Sequence, residues 1–387
     1  LPASSFQPYL CTMQKILILI DWFYPAFKAG GPVQSCLHLV NYLEDEVKFK
    51  VLTSNHDLDP TDKLDVPAYN QWRQFNNSTK VFYANAPGKV RQQIKNEKAD
   101  LVYINGIFSP HFNIIPLFFY KFRKSTPKMV VAPRGMLQKG ALAIKPFKKK
   151  LFLFLFKAVG LHKQVHWHAT DQQEIEDIRR TFGLKTRITL APNIPDSSKY
   201  LRINGEKKSG ELKLATISLI TIKKNLHQLI KTLPKLNLNI TYHIYGPIKD
   251  QDYWQKCQKL IKEAPANLTI EYKGPINPFA FHETISEYHF FILPTLGENF
   301  GHAIYQALNS WRPVIISDQT PWRNLSQSNA GWDLPLHQPQ RWQDILRKCH
   351  EMEQEEYDQL CNGAHALARE YIEKSNFKEQ YRELFDI

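Results

Sequence analysis

The chain has 387 residues, 43% of them hydrophobic and 12% aromatic, which excludes global disorder and allows the cores of two domains. Its net charge of +13 favours an anionic partner, which is nucleic acid, a phosphorylated ligand or an anionic membrane. Five dispersed cysteines without a C-x-x-C pair exclude a disulfide framework or zinc site and indicate reduced thiols in the cytoplasm.

The first strand pattern begins at Met13. The stretch before it, residues 1–12, is a poor signal peptide and is interpreted as a tag or upstream extension. Residues 13–195 then alternate apolar runs with helical patterns, such as those at 32–43 and 172–182. We predict strands at 15–20, 49–53, 80–84, 100–105, 129–133, 165–170 and 187–192. This rhythm predicts a doubly wound, Rossmann-like domain.

A polar stretch at 195–211 is typical of an interdomain linker, and the same rhythm resumes after it. Residues 210–370 form the second predicted domain. We predict strands at 212–218, 240–246, 268–274, 288–294 and 313–317 and helices at 224–234, 252–263, 277–287 and 302–310. The tail at 341–387 is helical, and we expect its last helix, about 371–387, to pack back on the first domain. The predicted fold class is α/β, with two Rossmann-like domains facing a central cleft.

The stretch "PTLGENFGHAIYQAL", residues 294–308, places a strand end, a glycine-rich turn and a helix in succession. Free backbone N–H groups from Asn299 to His302 would form an anion site at the helix start. The Glu298 carboxylate is a hydrogen-bond acceptor suited to hydroxyl groups. Together they suit a ligand that carries both hydroxyls and phosphate, whereas the alternative is that Glu298 caps the helix.

Two further strand ends carry candidate residues. Gly30 and Gly31 precede a helix and allow a tight backbone turn against phosphate or sugar, although an ordinary turn explains them equally well. Lys223 and Lys224 stand at the start of a helix, where a cation is unfavourable unless an anion bridges the pair. The alternative there is a solvated lysine pair.

In order and spacing, these stretches resemble the retaining GT-B glycosyltransferases of family 4, the group 1 glycosyltransferases. The resemblance covers nearly all of the chain after Met13 and is nearest to enzymes that build bacterial surface polysaccharide. It rests on eight stretches: "YPAFKAGGP", "VVAPRGML", "HATDQQEIEDI", "APNIPD", "ISLITIKKN", "YGPIKD", "YKGPI" and "PTLGENFGHAIYQAL".

The resemblance implies a role for each matching residue. Glu298 would accept hydrogen bonds from the donor sugar, and Gln306 would contact the ribose, where the family has a second Glu. The amides of Asn299, Phe300 and Gly301 would hold the diphosphate. The remaining implied donor-site residues are Gly30, Gly31, Lys223, Gly246, Gly274 and Ile276.

Three positions depart from the family pattern. Gln306 replaces a Glu, which weakens ribose binding by roughly 1–2 kcal/mol. Leu219 replaces an Arg that pairs with Lys224 on the distal phosphate. Arg134 stands where the family often has His, and we hypothesise that it restores the lost charge, so the implied catalytic residues are Glu298, Lys224 and Arg134.

Three other patterns were weighed for chemistry. "DQD" at 250–252 resembles a metal motif but suits helix capping, and "HWH" at 166–168 suits core packing. "KPFKKKLFLFLFKAVG" at 145–160 combines five lysines with a Leu/Phe block too short to span a bilayer. It suits a helix that contacts anionic lipid, with a core helix bearing a solvated basic flank as the alternative.

The sequence therefore predicts a retaining hexosyltransferase that uses a nucleotide-sugar donor, with UDP-sugar the commonest choice, and needs no metal cofactor. Its acceptor is expected to be a saccharide or a polyprenyl-linked saccharide of capsule, O-antigen or exopolysaccharide synthesis. We expect a cytoplasmic location, peripheral on the inner face of the membrane through residues 145–160. The alternatives are a non-catalytic sugar-nucleotide binder and a basic nucleic-acid-binding protein, for which no motif is found.

Overall fold

The computed structural model describes residues 13–123, 126–143, 145–203 and 205–387, so the extension at 1–12 and its Cys11 lie outside the described residues. The chain forms an eight-stranded and a six-stranded sheet, and each sheet has a hydrophobic cluster on either face. The four described cysteines are buried free thiols.

The N-terminal sheet has the strand order β3-β4-β2-β1-β5-β6-β7-β8, and only β3 runs antiparallel to its neighbour. Its strands are β1 (Gln14–Leu19), β2 (Val47–Ser54), β3 (Trp72–Gln74), β4 (Thr79–Ala84), β5 (Leu101–Asn105), β6 (Lys128–Ala132), β7 (His166–Ala169) and β8 (Ile188–Leu190). The helices are α1 (Gly31–Tyr42), α2 (Pro87–Asn96), α3 (Ile115–Lys121), α4 (Lys139–Ala143), α5 (Pro146–Ala158) and α6 (Gln172–Phe182).

The C-terminal sheet is parallel throughout, in the order β11-β10-β9-β12-β13-β14. Its strands are β9 (Leu212–Ile217), β10 (Ile240–Tyr245), β11 (Leu268–Gly274), β12 (Phe290–Leu293), β13 (Val314–Ser317) and β14 (Gly331–Leu334). The helices are α7 (Leu226–Thr232), α8 (Gln251–Lys262), α9 (Phe281–Ser286), α10 (His302–Asn309), α11 (Pro339–Glu351), α12 (Gln354–Lys374) and α13 (Phe377–Phe385).

The continuous apolar runs form strands because both faces of each sheet are covered. In β1, Ile16 and Ile18 pack into one cluster and Leu17 and Leu19 into the other. Such a run suits a buried parallel strand, whose side chains alternate between two apolar layers. The predicted doubly wound α/β architecture is thereby confirmed.

The segment after β9 differs from the single helix predicted at 224–234. Residues Ile222–Lys224 form a separate helical turn, and α7 begins only at Leu226. Asn225 between them has a left-handed backbone, with a φ of 57°. Since asparagine tolerates this conformation, it ends the turn, and both lysines lie in that separate turn rather than in α7.

In each sheet, successive strands are first added on one side of the starting strand and then on its other side. In the N-terminal sheet the change of side falls between β1 and β5, and in the C-terminal sheet between β9 and β12. Loops that leave such adjacent strands in opposite directions open a crevice at the carboxyl edge of a parallel sheet. Ligands are therefore expected at the loops after β9 and β12, which hold Lys223, Lys224 and Glu298.

Helix α13 follows the C-terminal sheet in sequence but packs against the N-terminal sheet. Its buried residues Phe377, Tyr381, Leu384 and Phe385 belong to the same cluster as β1. The Tyr381 hydroxyl also donates a hydrogen bond to the Pro192 carbonyl over 3.2 Å. The polar stretch at 195–211 has no helix or strand among its described residues, and the Ser198 carbonyl accepts from Asn309 Nδ2 at 2.9 Å.

Candidate active site

A cleft of about 960 Å³ lies between the two sheets and is lined by loops from both. All but one of the predicted site residues line it. These are Gly30, Gly31, Arg134, Lys223, Lys224, Gly246, Ile276, Glu298, Asn299, Phe300, Gly301 and Gln306. The cleft is large enough for a nucleotide-sized ligand.

Lys224 and Glu298 form an ion pair within the cleft. Lys224 Nζ lies 2.6 Å from Glu298 Oε1, and both side chains are largely buried, with exposed fractions of 16% and 12%. Their loops are joined by the backbone, because Leu296 N donates to the Lys223 carbonyl over 2.7 Å. The geometry therefore makes Glu298 a partner of Lys224 and does not support a helix-capping role.

Opposing effects set the protonation of this cluster. Burial alone would raise the pKa of Glu298, but the charges of Lys224 and Lys223 outweigh it and hold that pKa below its ordinary value. Burial lowers the pKa of Lys223, and the neighbouring charge of Lys224 lowers it further, although Glu298 acts in the opposite direction. Glu298 is thus ionised at neutral pH and opposes one of two cations, which leaves a net positive site for an anion.

The turn before α10 presents backbone donors to the cleft. Among the described residues, the N–H groups of Asn299, Phe300 and Gly301 donate no hydrogen bond within the protein. Gly301 has a φ of 80°, and a Cβ there would approach the Ile304 side chain to 2.8 Å. Glycine is therefore required at this position, and the turn and helix dipole together form an anion cradle.

The remaining predicted donor residues lie along the C-terminal wall. Gln306, on α10, is half-buried and faces the cleft with Ile276. A Cβ at Gly246 would lie 1.9 Å from the Ser218 carbonyl oxygen, so the absence of a side chain lets the ends of β9 and β10 approach each other. Gly274 does not line the cleft, and its carbonyl accepts from Gly246 N over 2.9 Å, so it supports the wall from behind.

Gly31 meets the opposite wall at His302, whereas a Cβ at Gly30 would have no atom within 4 Å. A Cβ at Gly31 would lie 3.6 Å from His302 Cδ2, and His302 Nε2 lies 2.8 Å from Ser35 Oγ. Burial keeps the pKa of His302 well below its ordinary value, and the nearby charges of His38 and Arg134 lower it further. His302 is therefore neutral at pH 7, and this contact joins α1 to the start of α10.

Arg134 is buried beneath the cleft by hydrogen bonds within the N-terminal half. Its guanidinium donates to Asn105 Oδ1 at 3.2 Å, to the Tyr103 hydroxyl at 2.7 Å, and to Asn193 Oδ1. Only 8% of the residue is exposed. Three of its N–H groups are thus used within this network. This arrangement favours a positioning role for Arg134 over the hypothesis from the sequence, in which its guanidinium contacts the donor phosphate directly.

The Asn299 side chain makes a contact that the sequence did not reveal. Its amide nitrogen donates to Thr170 Oγ1 at 2.7 Å and to Glu174 Oε2 at 3.4 Å, and its oxygen accepts from Asn193 Nδ2 at 3.1 Å. The buried Glu174 also accepts from Gly135 N at 2.6 Å. One residue of the anion cradle is thereby bonded to three residues of the opposite half.

The two metal-like patterns have structural roles. Asp250 Oδ1 accepts from Tyr253 N at 3.0 Å and caps α8, as the sequence predicted. His168 packs in the core, with Nδ1 2.8 Å from the Tyr103 hydroxyl. The described part of the chain contains no cluster of three or more His, Cys, Asp or Glu suited to a metal ion. Metal-independent transfer remains a prediction.

The predicted lipid-contacting segment forms α5, whose first turn lies at the rim of the cleft. Lys145 and Lys149 line the cleft, whereas Phe147, Phe154 and Leu155 have exposed fractions of 79%, 65% and 52%. Only Leu153 and Phe156 are buried within the helix. No helix within the described ranges has the length and apolar character needed to cross a membrane.

Known proteins share this architecture. Residues 197–365 match the family model described as "Glycosyl transferases group 1". Among solved structures, Anabaena HepE in complex with UDP-glucose is similar with a TM-score of 0.67 at 15% identity, over 97% of this chain and 100% of that one. No curated protein sequence matches this chain.

Two further solved structures have the same fold. Sucrose-phosphate synthase from Thermosynechococcus elongatus is similar with a TM-score of 0.71 at 13% identity, over 96% of this chain and 99% of that one. WaaG, a glycosyltransferase involved in lipopolysaccharide biosynthesis, is similar with a TM-score of 0.65 at 12% identity, over 96% of this chain and 98% of that one. The predicted GT-B fold is confirmed, and with the group 1 match the chain is a transferase enzyme of the glycosyltransferase type.

Proposed function

We propose that the protein is a retaining glycosyltransferase of family 4 that moves a hexose from a UDP-sugar to a saccharide acceptor. The observation that carries this proposal is the convergence of Lys223, Lys224, Glu298 and the free amides of 299–301 in one cleft. Cations and amides suit a diphosphate, and a carboxylate beside them suits sugar hydroxyls. The complex of HepE with UDP-glucose supports the choice of uridine.

The proposed chemistry is the electrostatic stabilisation of a leaving diphosphate. Lys224 and the amides of Asn299 to Gly301 would balance the charge that develops on the departing phosphate oxygen. Glu298 would accept hydrogen bonds from the sugar and orient its anomeric carbon. The acceptor hydroxyl would then attack from the same face, and its proton would pass to the leaving phosphate oxygen, so that no protein nucleophile is required.

Contacts between the two halves support transfer over hydrolysis. Asn299 and His302, which stand at the cradle, bond to Thr170 and Ser35 of the N-terminal half. A donor held at the cradle is therefore enclosed by both sheets, which excludes water from the anomeric carbon. We include in the proposal a role in bacterial surface-polysaccharide synthesis, for which the lipopolysaccharide role of WaaG is the supporting neighbour.

A thermal-shift screen tests the donor. UDP-glucose, UDP-galactose, GDP-mannose and ADP-glucose would be added separately to the purified protein, with UDP and glucose as controls. At one hundred times the dissociation constant, binding adds about 2.7 kcal/mol to the free energy of unfolding. We expect a rise in Tm with a UDP-sugar, and no rise with any nucleotide sugar would refute the proposal.

Replacing Gln306 with Glu is expected to tighten donor binding. A carboxylate accepts the ribose hydroxyls more strongly than an amide oxygen does, by roughly 1–2 kcal/mol, or about 5- to 30-fold in Kd. Calorimetric titration of Gln306→Glu with the UDP-sugar measures this change, with Gln306→Ala as the weakened control. An unchanged Kd in both variants would show that the nucleotide lies elsewhere.

A further inference from the structure

A chain of side-chain hydrogen bonds joins the two halves of the protein beside the cleft. Arg134 Nη1 donates to Asn193 Oδ1, and Asn193 Nδ2 donates to Asn299 Oδ1 at 3.1 Å. Asn299 Nδ2 donates in turn to Thr170 Oγ1 at 2.7 Å, and the Thr170 hydroxyl donates to Glu174 Oε2 at 2.8 Å. We call these five residues the polar chain. Asn299 is its middle member and the one that the C-terminal half contributes.

The two ends of the polar chain fix the direction of every hydrogen bond within it. The Arg134 guanidinium can only donate, and an ionised carboxylate such as that of Glu174 can only accept. Asn193, Asn299 and Thr170 between them can each do both, so their side chains orient from the donor end to the acceptor end. The Asn299 amide therefore has one favoured orientation, with its NH2 group toward Thr170 and its oxygen toward Asn193.

Both ends of the polar chain are buried without an ion pair. Glu174 is 1% exposed, and within the described ranges neither Glu174 nor Arg134 has an oppositely charged group within 4.0 Å. Glu174 stands in the first turn of α6 and also accepts from Gly135 N at 2.6 Å and from Thr170 N at 2.9 Å. A neutral Gln can make such a capping contact too, and burying a charge is unfavourable. The carboxylate thus adds what capping does not require, which is an end that only accepts.

Asn299 lies where this orientation affects donor binding. Its backbone N–H is one of the free amides of the anion cradle, and it follows Glu298, whose own N–H donates to the Gln319 carbonyl at 3.0 Å. The peptide unit between Glu298 and Asn299 is therefore held by the C-terminal half on one side and by the polar chain on the other. Amides that are fixed in advance stabilise a developing charge better than amides that must first reorient.

The other end of the anion cradle is held from the same half. His302 Nε2, at the start of α10, lies 2.8 Å from Ser35 Oγ on α1. The cradle amides at 299–301 thus have a contact with the N-terminal half at each end. Separation of the two halves breaks both contacts, so the amides are fully fixed only when the halves are in contact.

We propose that Arg134 and Glu174 are positioning residues that act through Asn299 to fix the cradle amides for the donor diphosphate. This inference rests on the proposed function and names a control that the N-terminal half exerts on the donor site. The polar chain is complete only when the two halves are in contact. The leaving diphosphate is therefore stabilised best when the N-terminal wall of the cleft is in place, which suppresses hydrolysis of the donor in an open protein.

Two conservative variants break the polar chain and leave the cradle amides in place. Glu174→Gln gives the acceptor end a group that can donate, and Thr170→Val removes the hydroxyl that links Glu174 to Asn299. With a UDP-sugar and saccharide acceptor that give turnover, each should lower kcat for transfer by up to about 10²-fold, as small displacements at a reacting centre do. The donor KM should change much less. The ratio of UDP released to saccharide product should rise, because the remaining activity depends less on contact between the halves.

A charge test distinguishes positioning from a merely structural role. Asn299 Nδ2 lies 3.4 Å from Glu174 Oε2, so Asn299→Asp would bring two carboxylates together in a largely buried place and should lose most of its activity. Adding Glu174→Gln removes one charge and supplies an N–H donor to the introduced carboxylate. The double variant should therefore be more active than Asn299→Asp alone. A double variant less active than Asn299→Asp would overturn the proposal, since unrelated damage at two sites accumulates.

Glu46→Gln provides the matched control. Glu46 is another largely buried carboxylate that joins distant parts of the chain, because it pairs with Lys378 and Arg382 of α13, but it does not line the cleft. This variant should lower Tm and keep both kcat and the ratio of UDP to product. A rise of that ratio equal to the rise in Glu174→Gln would assign the effect to general loss of stability and overturn the proposal.

Donor binding separates this inference from the proposed function. Glu174→Gln and Thr170→Val should retain a Tm rise with the UDP-sugar, which also shows that they are folded. If both bind the donor and keep the kcat and product ratio of the unaltered protein, the inference fails and the proposed function stands. If the unaltered protein shows no rise with any nucleotide sugar, the proposed function fails, and the inference fails with it.

Discussion

Replacing Lys224 with Ala is expected to lower kcat by about 10²–10³-fold, which is the usual cost of removing one donor that stabilises developing negative charge. The Lys224 ammonium lies in the cleft beside the free amides of the α10 cradle. Under the proposed function this cation balances charge on the leaving diphosphate, and the uncharged Leu219 stands where the resemblance implies a second cation. The effect should fall on kcat more than on KM, since the charge is greatest in the transition state.

Steady-state UDP release, with the UDP-sugar and saccharide acceptor that give turnover in the unaltered protein, measures this effect. Lys231→Ala provides the matched control, because Lys231 is an exposed lysine on α7, just beyond the Lys224 loop. The control should keep its kcat. If Lys224→Ala also kept its kcat, the leaving group would not lie at this loop.

Replacing Glu298 with Ala is expected to lower kcat/KM by roughly 10- to 150-fold. This corresponds to about 1.5–3 kcal/mol for a lost hydrogen bond to a charged group. The Glu298 carboxylate is ionised at neutral pH because Lys224 and Lys223 hold its pKa low, so it accepts hydroxyl hydrogen bonds in its charged form. Its removal also leaves Lys224 without its partner at 2.6 Å.

A conservative change separates the charge from the hydrogen bond. Glu298→Gln keeps one acceptor oxygen, so its kcat/KM should fall less than that of Glu298→Ala. Circular dichroism would show that each variant remains folded. Because Lys224 and Glu298 are in contact, the double variant should lose less activity than the two single losses combined. Unchanged transfer in Glu298→Ala would refute the sugar-binding role.

Much of the fold could be predicted because buried parallel strands leave an unmistakable sequence pattern. The runs "KILIL" and "FFIL" lie in β1 and β12, and both strands are interior to their sheets. Two of the four edge strands lack this pattern. β3 and β14 were not predicted, because WRQ and GWDL are short, partly polar stretches. The other two edge strands, β8 and β11, were predicted at 187–192 and 268–274.

The sequence pattern predicted only those site residues that lie in or beside the loops directly after strands. Lys224 and Glu298 were each predicted from the pattern at a strand end, and their loops meet because β9 and β12 are neighbouring strands. The contacts of Asn299 with Thr170 and Asn193 join residues more than 100 positions apart, so no local sequence pattern predicts them. The buried state of Arg134 likewise depends on Tyr103, Asn105 and Asn193, which only the folded chain brings together.

The return of α13 to the first sheet affects how the protein is made. Phe377 and Phe385 complete a core that otherwise begins at Ile16, and the whole second sheet lies between them in the chain. Domains generally fold as they leave the ribosome, in order from the N-terminus. Here the first domain to emerge keeps an apolar groove open until the second has been synthesised. The packing of the first half is therefore completed only after the end of the chain has been synthesised.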